Sequence, residues 1–153
     1  MDEKKKEARY ERLLIQLEAL LRKTEHPLSR MASVCAVLHH KMDHYFWTGF
    51  YLVRDERLYV GPYQGPVACQ ELAKPAGVCW TAVLSKKAVI VPDVDAFPGH
   101  VGCDTRSRSE IALPVCTGEG EPAAVFDVDA DFKNAFTETD QKYLEKILAL
   151  IYR

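Results

Sequence analysis

Leu13, Leu14, Leu17, Leu20 and Leu21 recur at the spacing of one helical face, which predicts an amphipathic helix over Tyr10–Arg22. Residues 1–9 are mostly charged and are expected to be a frayed N-terminus. His26-Pro27 interrupts the helix, and Pro27 suits the first turn of a second one. On that second helix Leu28, Met31, Cys35, Leu38 and Met42 share a face. From Tyr45 the period shortens. Phe46–Val53 and Leu58–Tyr63 are aromatic and β-branched, and they flank the polar turn Arg54-Asp55-Glu56-Arg57, so they predict a hairpin. Gly61-Pro62 and Gly65-Pro66 predict loop. A short helix at Val78–Leu84 and a short strand at Ala88–Val91 follow. Residues 92–109, with Pro92, Pro98, Gly99 and Gly102, read as one long loop, and loops of that length inside a domain tend to carry function. Strands Glu110–Thr117 and Pro122–Asp129 flank Gly118-Glu119-Gly120. A last helix starts at Thr137, with Asp140 at the capping-box position and Leu144, Ile147, Leu148 and Ile151 on its apolar face. The order predicts one α+β domain over residues 1–153, an antiparallel sheet covered by the N-terminal and C-terminal helices.

The last two strands divide by parity. Ile111, Leu113 and Val115 share a face, as do Ala124, Phe126 and Val128, and these apolar faces belong to the core. Glu110 and Ala112 lie on the opposite side, as do Val125, Asp127 and Asp129. Carboxylates at i and i+2 in an apolar strand are costly to bury without partners. Glu110, Asp127 and Asp129 therefore form either a solvent-facing rim or a pocket. In a pocket, crowding keeps at least one of them protonated near neutrality, and the others are placed to receive an ammonium. A divalent metal is the rival occupant of such a cluster.

Composition narrows the classes. Of 153 residues 48% are hydrophobic, enough for a single core, and the net charge is −2. A near-neutral chain with interspersed charges has no nucleic-acid footprint. The Lys4-Lys5-Lys6 run reads as solvated charge. The charged start has no apolar signal segment, and no apolar run approaches a membrane span, so a cytoplasmic protein without membrane contact is expected. Thiols are kept reduced there, so five cysteines suggest packing, metal binding or active chemistry rather than a static framework. Cys35 falls on the core face of the second helix, and Cys116 is assigned to packing. Cys69, Cys79 and Cys103 lie in the irregular middle of the chain. Cys103, between Gly102 and Asp104, is on no apolar face. Neither a C-x-x-C pair nor a paired histidine spacing marks a structural zinc site. His100, three residues earlier, is placed to lower the Cys103 pKa. These residues alone leave redox thiol chemistry and inert loop cysteines both open.

A resemblance goes further. Gly61-Pro62-Tyr63-Gln64-Gly65, Ala68-Cys69, Gly77-Val78-Cys79, Asp93-Val94, Phe97-Pro98-Gly99-His100, Cys103-Asp104, Ser109-Glu110-Ile111 and Phe126-Asp127-Val128-Asp129 occur in order. Together they resemble the free methionine-R-sulfoxide reductases, enzymes built on a GAF domain. The resemblance implies Cys103 as catalytic cysteine, Cys79 and Cys69 as resolving cysteines, and Glu110, Asp127 and Asp129 as pocket acids. It places Trp47 and Tyr51 near the pocket. It implies reduction of free methionine-R-sulfoxide through a sulfenic acid and a disulfide recycled by a thioredoxin-like dithiol, with no metal or cofactor required. Trp80 follows Cys79 where the family usually has a small residue, which bears on how Cys79 moves. A non-catalytic GAF module that senses a small molecule, or a redox switch, is the alternative. The N-terminal helix is expected to pack either on its own domain or on a second copy in a homodimer.

Overall fold

The computed structural model describes residues 2–153. The chain runs α1 (Glu3–Leu21), α2 (Pro27–Lys41), β1 (Trp47–Arg54), β2 (Arg57–Gln64), β3 (Glu71–Leu72), α3 (Gly77–Ser85) and β4 (Val89–Val91). It continues through a 3₁₀ turn (Val94–Ala96), β5 (Ser109–Cys116), β6 (Pro122–Ala130) and α4 (Glu138–Leu148). The strands form one sheet in the order β3-β2-β1-β6-β5-β4, and every pairing is antiparallel. No helix among the described residues is long and apolar enough to cross a membrane.

The parity of the strands decides the layers. Phe50, Ile111, Leu113, Val115, Ala124, Phe126 and Val128 face α1, α2 and α4 in one buried cluster. Each fully buried side chain of Leu, Ile, Val or Phe size contributes about 1.5–3 kcal/mol. The opposite face carries Trp47, Tyr51, Ala112 and Val125, and α3 covers it. Both faces of the sheet are therefore protected, one by three helices and one by a short helix and loops.

The hairpin turns through Asp55 and Glu56, both at positive φ, the geometry that matches strand twist in a two-residue loop. Gly61-Pro62 does not leave the sheet as its composition predicts. Gly49 pairs with Tyr63 and Tyr51 with Val60, so two residues of β2 oppose the single Phe50. A bulge of this kind interrupts the ladder, which is where a proline without an N–H is tolerated. Leu28, expected on the core face of α2, is exposed, while Met31, Cys35, Leu38 and Met42 are buried.

Residues 3–9 are not frayed but form the first turns of α1, and Met1 lies outside the described residues. The Asp2 side chain accepts from the Lys5 backbone N–H at 2.9 Å and caps α1. Lys6 is buried and donates to Asp140 Oδ2 at 2.7 Å and to the Ala135 carbonyl at 3.3 Å. Tyr10 and His44 both meet Asp140 Oδ1, at 2.6 and 2.8 Å. Helix α1 is thus docked on α4 of its own chain by a buried ion pair. Charge composition could not reveal this, because the partner carboxylate lies 134 residues away. Asp140 also accepts the Thr137 backbone N–H at 2.8 Å and closes the predicted capping box. Arg30 ties together two other helix ends. Its guanidinium donates to the carbonyls of Leu21, the last residue of α1, and of Thr24 beyond it, and to those of Leu150, Ile151 and Arg153 after α4. These carbonyls lie at or just past the two helix C-termini, where the backbone has run out of intrahelical donors.

Candidate active site

Sheet register brings the acids together. Across β1, β6 and β5, Trp47 lies opposite Asp129, and Asp129 opposite Glu110; one step along, Gly49, Asp127 and Ala112 form the next row. Glu110, Asp127 and Asp129 therefore occupy one patch on the face that α3 covers. Only 6% of Glu110 and 5% of Asp127 is exposed, so the solvent-facing rim reading is excluded for these two. Gly49 is required in this patch, since a Cβ there would lie 2.5 Å from the Trp47 ring. The Trp47 ring instead lies flat between Tyr51 and Tyr63, with centroids 5.8 and 5.5 Å away.

Burial sets the charge state. It pushes the Glu110 carboxyl up to about 8, with the Asp129 charge adding to the effect. Burial, and then the neighbouring acids, also hold Asp127 and Asp129 well above the ordinary carboxylate range. The cluster can thus store a proton at neutral pH. Asp127 Oδ1 is buried without a hydrogen-bond partner. Ser107 lines the same pocket and works against the rise at Asp129.

Helix α3 delivers Cys79 to this patch. Its thiol sulfur and one oxygen each of Glu110 and Asp127 lie within 4.8 Å of one another. Burial and then the acids raise the Cys79 pKa well above its usual value, so it remains a thiol. The Trp80 indole is buried beneath β3 and donates to the Leu72 carbonyl at 2.9 Å.

Cys103 arrives from the loop between the 3₁₀ turn and β5 and is joined by a disulfide to Cys69, with Cα atoms 5.5 Å apart. Cys79, Cys35 and Cys116 are free. The segment bearing Cys69 is held from beneath. The Trp47 indole donates to the Pro66 carbonyl at 3.0 Å, and the Tyr51 hydroxyl to the Cys69 carbonyl at 3.2 Å. Gly65 makes the necessary turn at φ +116°, where a side chain would meet the Phe46 carbonyl at 2.9 Å. His100 reaches across to the acids through one ring nitrogen. Its Nε2 pairs with Glu110 Oε1 at 3.0 Å, and burial lowers its pKa.

Trp47, Tyr51, Cys79, Cys103, Glu110, Asp127 and Asp129 line one pocket, and Cys69 is bonded to its rim through Cys103. Sequence reasoning missed Ser107 and the apolar wall of Val67, Leu72, Val78 and Val101. Nothing in their local pattern distinguishes them from ordinary loop and helix residues. With the disulfide closed the cavity is about 40 Å³, room for a water or two.

A sequence model of the GAF domain family matches residues 27–151. A GAF domain-containing protein A of Dictyostelium discoideum is 46% identical over 147 residues, covering 95% of this chain and 92% of that protein. The free methionine-R-sulfoxide reductase of Escherichia coli is 36% identical over 122 residues, covering 80% of this chain and 73% of that enzyme. The crystal structure of the free methionine-R-sulfoxide reductase of Neisseria meningitidis, in complex with its substrate, superposes with a TM-score of 0.92 at 34% identity. It covers 99% of this chain and 90% of that one. The buried thiol and acid groups thus sit on a GAF domain. The chain belongs to the free methionine-R-sulfoxide reductase family.

Proposed function

We propose that this protein reduces free methionine-R-sulfoxide to methionine, with Cys103 as nucleophile and Cys69 as resolving thiol. The Cys103 thiolate attacks the sulfoxide sulfur, and Glu110, protonated by virtue of its burial, is placed to protonate the oxygen. Methionine departs and Cys103 is left as a sulfenic acid. The Cys69 thiol attacks that sulfur, water leaves, and the Cys69–Cys103 disulfide forms. An external dithiol of the thioredoxin type restores both thiols by exchange. One sulfoxide and two thiols thus become one thioether, one disulfide and one water.

Asp127 and Asp129 receive the substrate's α-ammonium, whose charge offsets the cost of crowding these carboxylates together. A methionine within a peptide has no such charge, so the pocket selects the free amino acid. The observation that carries the reading is the Cys69–Cys103 bond at the mouth of a buried acid pocket. The test is to mix the fully reduced protein with free methionine-R-sulfoxide and quantify methionine. One equivalent per chain is expected without a reductant, and continuous formation with a dithiol. Thiol oxidation without methionine formation would leave a redox switch instead.

A further inference from the structure

We propose that the floor of the pocket is a site for a thiophilic divalent cation of the zinc class, bound by Cys79, Asp127 and Glu110, and that its occupancy switches the enzyme off. The site itself stands on geometry; its inhibitory consequence rests on the reductase reading.

Three buried ligand atoms of mixed type converge there: the Cys79 sulfur and one carboxylate oxygen each from Glu110 and Asp127, all within 4.8 Å of one another. Ligands around a tetrahedral zinc stand about 3.3–3.7 Å apart, given bonds of about 2.0–2.3 Å, so a modest side-chain contraction completes the set. Asp127 Oδ1 supplies the independent pointer. It is shielded from solvent and has no hydrogen-bond partner, an arrangement that costs about 1–3 kcal/mol unless something occupies the space before it. The cavity of about 40 Å³ admits an ion with one water. His100 Nε2 holds Glu110 Oε1 at 3.0 Å, as an outer partner orients a metal-binding carboxylate.

The donor set selects the metal. One sulfur with two oxygens is too soft and too sparse for calcium, which takes six to eight oxygens, or for octahedral magnesium. It suits zinc, cadmium or cobalt in a four-coordinate site with water in the open position. Binding displaces to solvent the thiol proton of Cys79 together with the protons that the Glu110 and Asp127 carboxyls hold, so affinity rises with pH. A dication seated between Glu110 and Asp127 excludes the substrate's ammonium from the acids and takes up the carboxyl placed to protonate the sulfoxide oxygen. Inhibition is therefore competitive with substrate.

The test separates the two halves. In the oxidised protein Cys69 and Cys103 are tied to each other, which leaves Cys79 as the one free thiol among the pocket-lining residues. Titration of this form with Co²⁺ should give a sulfur-to-metal charge-transfer band in the near ultraviolet, with tetrahedral d–d bands in the visible. Zn²⁺ should displace the cobalt and Mg²⁺ should not. Cys79→Ser should abolish the charge-transfer band and weaken Zn²⁺ binding on the order of a hundredfold, the upper end of what losing even an outer partner costs. Asp127→Asn should keep the band but shift it to higher cobalt concentration. Cys116→Ser should leave the titration unchanged. No band in the parent protein, or a band that survives in Cys79→Ser, overturns the site. For the regulatory half, pre-reduced enzyme is loaded with Zn²⁺ and single-turnover methionine formation is measured. Suppression relieved by a chelator or by excess substrate is expected. Full turnover with the metal bound overturns the regulatory half. Absence of turnover in metal-free enzyme would count against the reductase reading and leave the cobalt result standing.

Discussion

Cys69 and Cys103 lie 34 residues apart in the chain, yet their Cα atoms are 5.5 Å apart, within the span of a disulfide. Cys79 stays outside that pair as a buried thiol among acids. The two cysteines of the pair should therefore fail differently. Cys103→Ser is expected to form no methionine at all. Cys69→Ser should form about one equivalent and then stop with a sulfenic acid trappable by dimedone. Equal multiple-turnover rates in Cys69→Ser and the parent protein would remove Cys69 from the cycle. Mass spectrometry of the trapped adduct reads the difference.

The acids give a pH signature of defined sign. The folded protein holds Glu110 at about 8 against 4.5 when exposed, so between these values the native state binds the proton that the unfolded chain has released. Stability should fall as pH rises through that window, and Asp127 and Asp129 act in the same direction. Melting temperature followed from pH 5 to 9 should decline, and Glu110→Gln should flatten the decline. A profile identical in both proteins would contradict the burial argument.

Asp127→Asn removes a charged acceptor assigned to the substrate's ammonium. Hydrogen bonds to charged groups contribute about 1.5–3 kcal/mol, so KM for free methionine sulfoxide should rise about tenfold to a hundredfold. The reduced protein should still form the Cys69–Cys103 bond when treated with peroxide. Steady-state kinetics beside peroxide titration distinguish lost binding from lost thiol chemistry.

Two buried charges outside the pocket can be tested by stability alone. Arg30→Met strands the carbonyls at the ends of α1 and α4 and is expected to cost about 2–4 kcal/mol, read as a lower denaturant midpoint at unchanged slope. An unchanged midpoint would mean that water replaces the guanidinium without penalty.

Asp140 lies opposite Lys6 and His44, and these partners hold its carboxyl down at about 2 against 3.8, despite burial. Its contribution is complete above about pH 4 and should vanish as pH drops towards 2, the opposite sense to Glu110. Lys6→Met leaves that carboxylate short of a partner and should destabilise by about 3–5 kcal/mol near neutrality. Chemical denaturation at neutral pH checks this value.

Local pattern makes much of the architecture legible. Alternation in β5 and β6 is enough to place Ile111, Leu113 and Phe126 in the core and Glu110, Asp127 and Asp129 together on the other face, because side-chain direction in a strand follows parity alone. The capping box at Thr137 is readable for the same reason: its partners are three residues apart. What escapes depends on distant contacts. The docking of Lys6 on Asp140 and the capping of α4 by Arg30 join opposite ends of the chain. Spacing points from His100 to the thiol nearest in sequence, and its pairing with Glu110 comes from the fold. The residues of the resemblance name three cysteines without pairing them. Pairing is a property of how the loops close over the sheet.

Trp47 and Tyr51 form part of the chamber wall, and through Pro66 and Cys69 they also anchor the peptide that carries one of the two bonded sulfurs. The shape of the chamber and the seat of Cys69 are thereby fastened to a single strand. Widening the chamber by trimming either ring would also loosen the tether of Cys69, so a change in what is admitted carries with it a change in how readily the sulfurs reunite.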